Sequence, residues 1–331
     1  MSGSLDTRTL VLTALAVAVA AAFGLAVPDT FLTLGNLQSM LLQASVIGIL
    51  ALAVAMSLMS GGIDLSINAV ANLAAIVAAL VMATLTPALG PLPAILAGLA
   101  AGLATGLACG ALNGALIAFL GCPPILATLG TMMVFAGLGT VVTRGETFAG
   151  QPGWAAFGRL TVAGIPIAAL IFVGLAVLLA GFVQRTVTGR RLVMVGANVK
   201  AARFSGVPVR SVLVRTYATS GTLASIAGLV SLSIANSVNV DFGSSYLLLA
   251  VLIAVLAGVS PEGGRGNILG VIAAVLLLQL LSTGLNMTYQ SGSSNFLKEF
   301  AWGLALLTVL AVSRFDTAGW LKAKRSEEGG Q

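Results

Sequence analysis

The side chains that could do chemistry in this chain are defined first by what is missing. Histidine is absent, so imidazole zinc ligands, His general bases and Ser-His-Asp triads are unavailable. No lysine follows a glycine, which removes the G-x-x-x-x-G-K-[ST] phosphate loop. Cys109 and Cys122 lie in apolar surroundings, where buried inert thiols are expected rather than a disulfide or redox pair. Asp64 falls in a short break at 61–66, Asp241 follows an apolar run, and Glu299 stands beside Lys298 at the start of another. No carboxylate occupies the middle of an apolar run, so a proton relay has no candidate there.

Uncharged polar groups do interrupt the apolar runs: Gln43, Asn72, Asn113, Thr128, Gln279 and Asn286. Each needs a hydrogen-bond partner or water wherever water is scarce. Two uses fit, bonding between helices or a polar path for a hydrophilic solute. Asp64, Asn72, Asn113 and Thr128 are the candidates for such a path.

The elements carrying these residues follow from composition. Of 331 residues 58% are hydrophobic and 8% charged, with a mean hydropathy of +1.06. A soluble domain carries about 25% charged residues, so the surface of this chain faces lipid. A bilayer core needs ~20 apolar residues per crossing helix, and the sequence supplies ten such runs: 10–27, 37–59, 65–85, 93–120, 124–142, 165–183, 212–235, 246–259, 268–285 and 296–312. The first could be a secretory signal, but the equally apolar remainder favours an uncleaved span. The fold class expected is all-α, a polytopic transmembrane bundle of about ten spans.

The run at 246–259 is short for a crossing helix, and charge decides how it is counted. Seven basic residues and no acidic one lie between Arg185 and Arg215, and Arg314, Lys322, Lys324 and Arg325 form a basic tail. Both should be cytoplasmic, which requires an even number of crossings between them. Counting 246–259 as a crossing gives four. Thirteen of the 16 basic residues then face inward, Arg8 and Arg265 included, and Arg144, Arg159 and Lys298 face outward. The expected organisation is a cytoplasmic start at 1–9, a permeation domain at 10–313 with a basic loop at 185–211, and a cytoplasmic tail at 314–331. The net charge of +6 thus reports orientation rather than nucleic-acid binding.

Two local patterns stand out. Gly98, Gly102, Gly106, Gly110 and Gly114 recur every four residues, which lines one helix face with a groove open to another backbone. That groove could serve packing within one subunit or between subunits. In the basic loop, Asn198 can cap a short helix at 199–205 that Gly206 ends, with Pro208 beyond. Ala201 and Ala202 would give this helix a close-approach face, flanked by Lys200 and Arg203. It could dock a cytoplasmic partner, or its cations could simply face lipid phosphates.

At these residues the sequence resembles the permease subunits of bacterial ATP-binding-cassette importers of ribose, xylose and related monosaccharides, a group that includes the autoinducer-2 permeases. The likeness runs from about residue 37 to residue 312. It is carried in order by Gly61-Gly62-Ile63-Asp64-Leu65-Ser66, Asn113-Gly114, Pro123-Pro124 with Thr128-Leu129-Gly130-Thr131-Met132, and Gly189-Arg190 with Gly196, Asn198, Ala201-Ala202 and Ser205-Gly206. Gly221-Thr222-Leu223-Ala224 and Gly263-Gly264-Arg265-Gly266 follow. The resemblance implies a type II-like importer fold in the bacterial plasma membrane with both termini inside. It implies three partners: a cytoplasmic ATPase, an extracytoplasmic solute-binding protein, and a second permease copy or paralogue. ATP would be bound by the ATPase, with no cofactor on this chain and no enzyme activity of its own. Gly189, Arg190, Gly196, Asn198, Lys200, Ala201, Ala202, Arg203, Ser205 and Gly206 would then belong to the element that docks the ATPase. Ile67-Asn68-Ala69, Pro261-Glu262 and Ser282-Thr283 depart from the family's usual residues, so no particular sugar is carried over. The rival class is a secondary carrier or channel that needs no ATPase.

Overall fold

Backbone groups in lipid must be bonded within the chain, and helices do this residue by residue. The computed structural model describes residues 7–288 together with 300, 302–304 and 307. Its helices are α1 (Thr7–Ala26), α2 (Leu34–Met59), α3 (Ile67–Leu89), α4 (Pro91–Leu120), α5 (Pro124–Thr143), α6 (Pro152–Gly158), α7 (Ile167–Arg185), α8 (Val187–Ala197), α9 (Val199–Phe204), α10 (Val209–Ala235), α11 (Tyr246–Leu256) and α12 (Gly270–Thr288). Two antiparallel pairs of two-residue strands are the only sheet among the described residues: β1 (Phe148–Ala149) with β4 (Ser237–Val238), and β2 (Thr161–Val162) with β3 (Ile165–Pro166). The protein is an all-α polytopic bundle.

Helix limits follow local chemistry. Thr33 caps α2, its hydroxyl accepting from the Asn36 amide. Pro91 opens α4, Gly121 closes it in the left-handed region at φ 71°, and Pro124 opens α5. Proline at a helix start costs no hydrogen bond, and glycine after a helix end meets no Cβ penalty. The core is built around α2, whose second half is buried on every side, with α10, α11 and α7 packed against it. In contrast α1 and α5 leave most of their apolar side chains outward, the face a bilayer would cover.

Among the described residues, eight helices are long and apolar enough to cross a membrane. The eighth expected run is realised as α11, only 11 residues, preceded by an inserted segment through β4 and Phe242. The tenth, 296–312, lies almost wholly outside the described residues, as do residues 1–6 and the basic tail. Two helices lie where the sequence reading had only loop, α6 and the amphipathic α8. Both cysteines are free thiols.

The break between α2 and α3 lies deeper than a surface turn. Asp64 bonds Ser220, and Ser220 stands eleven residues into α10, ~16 Å along its axis at 1.5 Å per residue. Asp64 and Ser66 therefore sit inside the bundle, while Gly61 stays exposed at its end.

Candidate functional site

The buried break is a continuous polar cluster. Asp64 Oδ1 accepts from the Ser66 amide at 3.0 Å and from the Ser66 hydroxyl at 2.7 Å, and Oδ2 accepts from Ser220 Oγ at 3.1 Å. Ser66 Oγ in turn accepts from Asn113 Nδ2 at 2.7 Å, and Asn113 Oδ1 accepts from Thr131 Oγ1 at 2.6 Å. Thr128 Oγ1 accepts from the Leu65 amide at 3.1 Å and donates to the Pro124 carbonyl at 2.8 Å. Ser57 Oγ accepts from the Asp64 amide at 3.3 Å. One carboxylate thus joins α10 to the start of α3, and Ser66 extends the joint to α4 and α5. Asp64 serves the turn into α3, whose cap position is Ser66, rather than capping the helix directly.

These contacts show the first of the two uses, bonding between helices. Asp64, Asn113 and Thr128 do come together, but all three are fully buried and their polar atoms are committed to the chain's own groups. Asn72 stands apart: its Nδ2 donates to the Val240 and Phe242 carbonyls at 2.7 and 2.9 Å, while Asn68 Nδ2 donates to Phe242 O at 3.1 Å. Both asparagines hold the inserted segment that leads into α11. Gln279 Nε2 donates to Gln43 Oε1 at 3.3 Å, an α12–α2 bond. The geometry makes these residues the fasteners of broken helices, because an unpaired amide in a dry interior is too costly to leave aimed at nothing.

Asp64→Leu is expected to destabilise the protein by about 3 kcal/mol or more. It strands three buried donors, each costing about 1–3 kcal/mol. Asp64→Asn keeps an acceptor and should lose far less. Unfolding midpoints in mixed detergent micelles measure both, and equal midpoints for Leu and wild type would remove the fastening role.

The glycine ladder of α4 is filled by the chain's own neighbours. A Cβ on Gly98 would lie 2.8 Å from Ala78 O, and one on Gly102 3.0 Å from Ala74 O, both on α3. A Cβ on Gly106, Gly110 or Gly114 would collide with Gly221 O, Tyr217 O or Val214 Cα of α10. The groove is occupied within one protomer.

The basic loop is more structured than its composition suggests. Thr186 caps α8, accepting from the Gly189 amide at 3.0 Å. Asn198 Oδ1 caps α9, accepting from the Ala201 amide at 2.9 Å. At the other end of α9, Val207 N donates to Ala202 O and Gly206 N to Arg203 O. This paired closure, with Gly206 at φ 75°, is the Schellman arrangement. Such a tightly tied two-turn element presents a fixed surface.

The residues assigned to docking divide by burial. Arg190, Lys200, Ala201, Arg203 and Ser205 are exposed. Gly189 is buried against the Phe182 carbonyl and Val183 of α7, and a Cβ on Gly196 would lie 1.9 Å from Met59 O. Ala202 is 2% exposed, so its methyl faces the chain's own core, and only Ala201 keeps the expected outward small face. Sequence reasoning missed Phe204, which is 93% exposed at the last position of α9. Its signal was the lone aromatic of the 185–211 loop.

Charge is sorted to the two ends of the bundle. Thr9 accepts from Asn267, Arg8 lies against Gly258, and Gly196 packs beside Gly61, Gly263 and Gly264. These contacts gather Arg8, Arg265 and the basic loop at one end. At the other end Gly150 N donates to Asn236 O, Trp154 Nε1 to Leu229 O, and Gln38 to Gly164 O, placing Arg144 and Arg159 there.

Comparison with known proteins bears on this arrangement. A family model described as "Branched-chain amino acid transport system / permease component" matches residues 36–312. The chain is similar to the ribose import permease protein RbsC of Bacillus subtilis (strain 168), 35% identical over 292 residues that cover 87% of this chain and 88% of the relative. It is also similar to the autoinducer 2 import system permease protein LsrD of Photorhabdus temperata, 31% identical over 294 residues that cover 85% of each. No solved structure matches.

Proposed function

The chain belongs to the permease-component family of branched-chain amino acid transport systems, and from that membership we propose that it is the membrane path of an ATP-driven importer for a monosaccharide. The ribose permease at 35% identity over nearly the whole of both chains carries the choice of solute. The autoinducer-2 permeases support uptake of that signal as the second reading. The chain is a transport subunit rather than an enzyme. A cytoplasmic ATPase would bind and hydrolyse the ATP, a binding protein would deliver solute at the opposite face, and a second permease subunit would complete the path.

Under this reading the basic end is cytoplasmic, because cationic loops are retained inside. The residues of the loop then have distinct duties. Arg190, Lys200, Ala201, Arg203, Phe204 and Ser205 offer the surface for the ATPase, and Asn198 and Gly206 hold its shape. Gly189 and Gly196 tie it inward. Gly196 touches the last turn of α2, and Met59 O accepts from the Gly264 amide at 3.1 Å. A displacement of α9 would therefore reach α2 and the 61–66 break through backbone contacts that cannot slide far without collision.

Proteoliposomes holding the permease with its cognate ATPase and binding protein test this proposal. ATP-dependent accumulation of ribose is expected. Ribose entry through the permease alone, without ATPase, would replace it with a carrier or channel, and accumulation of autoinducer 2 in place of ribose would shift the solute. The orientation has its own check. A reporter active only outside the cytoplasm should be silent when fused at Gly206 and active at Gly145, and a signal at Gly206 would invert the topology.

A further inference from the structure

Where α4 ends and α10 begins, an open cleft of about 760 Å³ lies beside α9. Three guanidinium groups line it, Arg203, Arg210 and Arg215, against an apolar wall that includes Phe119, Val207 and Val214. Arg210 sits over the Phe119 ring, 5.7 Å from its centroid, which orients the cation toward the cleft edge. No carboxylate lines the cleft, and the sequence holds none between Glu146 and Asp241. Three cations are thus collected without a counter-charge. On α4, which carries Phe119, Leu120 is 69% and Leu112 46% exposed.

We propose that this cleft binds an anionic phospholipid, its phosphate held by Arg210 and Arg215 and an acyl chain laid along the Phe119 wall. Charge complementarity selects the headgroup. A zwitterionic lipid brings an ammonium that the guanidinium cluster repels, whereas a phosphatidylglycerol headgroup brings a net negative charge with acceptor oxygens for a planar donor fork. The apolar wall selects a lipid over a soluble anion, because it is wasted on a ligand without a tail. It also separates this cleft from the tip of α9, where Phe204 points away from any cover. A basic pocket at the membrane boundary between helices is the geometry that recognises anionic headgroups.

The test uses the full-length permease purified in detergent, with native mass spectrometry reading bound lipid during titration with phosphatidylglycerol or phosphatidylcholine. The wild type should retain phosphatidylglycerol in preference. The R210Q/R215Q double variant should weaken that retention more than tenfold, since each basic residue near a membrane surface contributes about a factor of five. Phe119→Ala should weaken it too, and Arg185→Gln, a cation of the same end outside the cleft, should not. Unchanged unfolding midpoints keep these comparisons valid. Equal retention of the two lipids, or undiminished retention in the double variant, would overturn the proposal. So would an equal loss in Arg185→Gln, which would mean general charge. Displacement by glycerol 3-phosphate at equal concentration would assign the cleft to a free phosphate, and displacement by the ATPase would assign it to protein docking.

Discussion

Phe204→Asp is expected to abolish both uptake and the stimulation of the partner ATPase by loaded binding protein, while the permease stays folded. Phe204 is 93% exposed, so the free protein loses no packing when the ring goes. A docked aromatic anchor contributes about 2 kcal/mol or more, a factor of about 30 in association, and an unpaired carboxylate buried against the partner adds several kcal/mol more. Phe204→Ala should therefore give a partial defect and the aspartate a complete one. Ala202→Asp, the change that the loop sequence alone would recommend, is a poorer test. Its methyl is buried inside the permease, so a charge there would damage α9 itself. ATPase stimulation in reconstituted vesicles decides. Wild-type stimulation in Phe204→Asp would end the docking role of α9.

Much of the fold was legible because lipid imposes one requirement, and composition reports it without tertiary information. The apolar runs that became α2 to α5, α7, α10 and α12 carry that signal in every residue. Capping was legible too, since Asn198 and Gly206 act on groups within their own helix. What failed to show was depth. The Gly61–Asp64 turn reads as a surface connection, because nothing in the local sequence says that Ser220, 156 positions away, will meet Asp64. The polar residues were legible, but their partners were not. An asparagine in an apolar run announces a need for a partner, but not whether that partner is a solute or the Val240 carbonyl. The amphipathic α8 was hidden by its arginines. Burial of Gly189, Leu192 and Val195 on one face is set by α7 and α10, not by local propensity.

Gly221→Ala should be among the most damaging single-methyl changes in the chain. In lipid no hydrophobic force draws two helices together, so close backbone packing and hydrogen bonds between them must hold the pair. The Cβ of an alanine at 221 would stand 2.2 Å from Gly106 O and 2.8 Å from Gly110 Cα. Both neighbours are backbone and cannot rotate aside, so α10 must leave α4. The separation reaches the polar cluster as well, because Ser220 on α10 bonds Asp64, and Asn113 on α4 bonds Ser66. Overpacking alone costs about 1–3 kcal/mol, and stretching either bond adds about 1 kcal/mol or more. The expected total is about 3 kcal/mol or more, enough to reduce the folded fraction recovered from membranes. Gly174→Ala on α7 is the matched control. Nothing stands within 4 Å of its added methyl, and alanine favours a helix interior by up to about 1 kcal/mol over glycine. Its unfolding midpoint should equal or exceed that of the wild type. If Gly221→Ala unfolds at the same midpoint as Gly174→Ala, the α4–α10 contact is not what holds the bundle, and the polar cluster must stand without it.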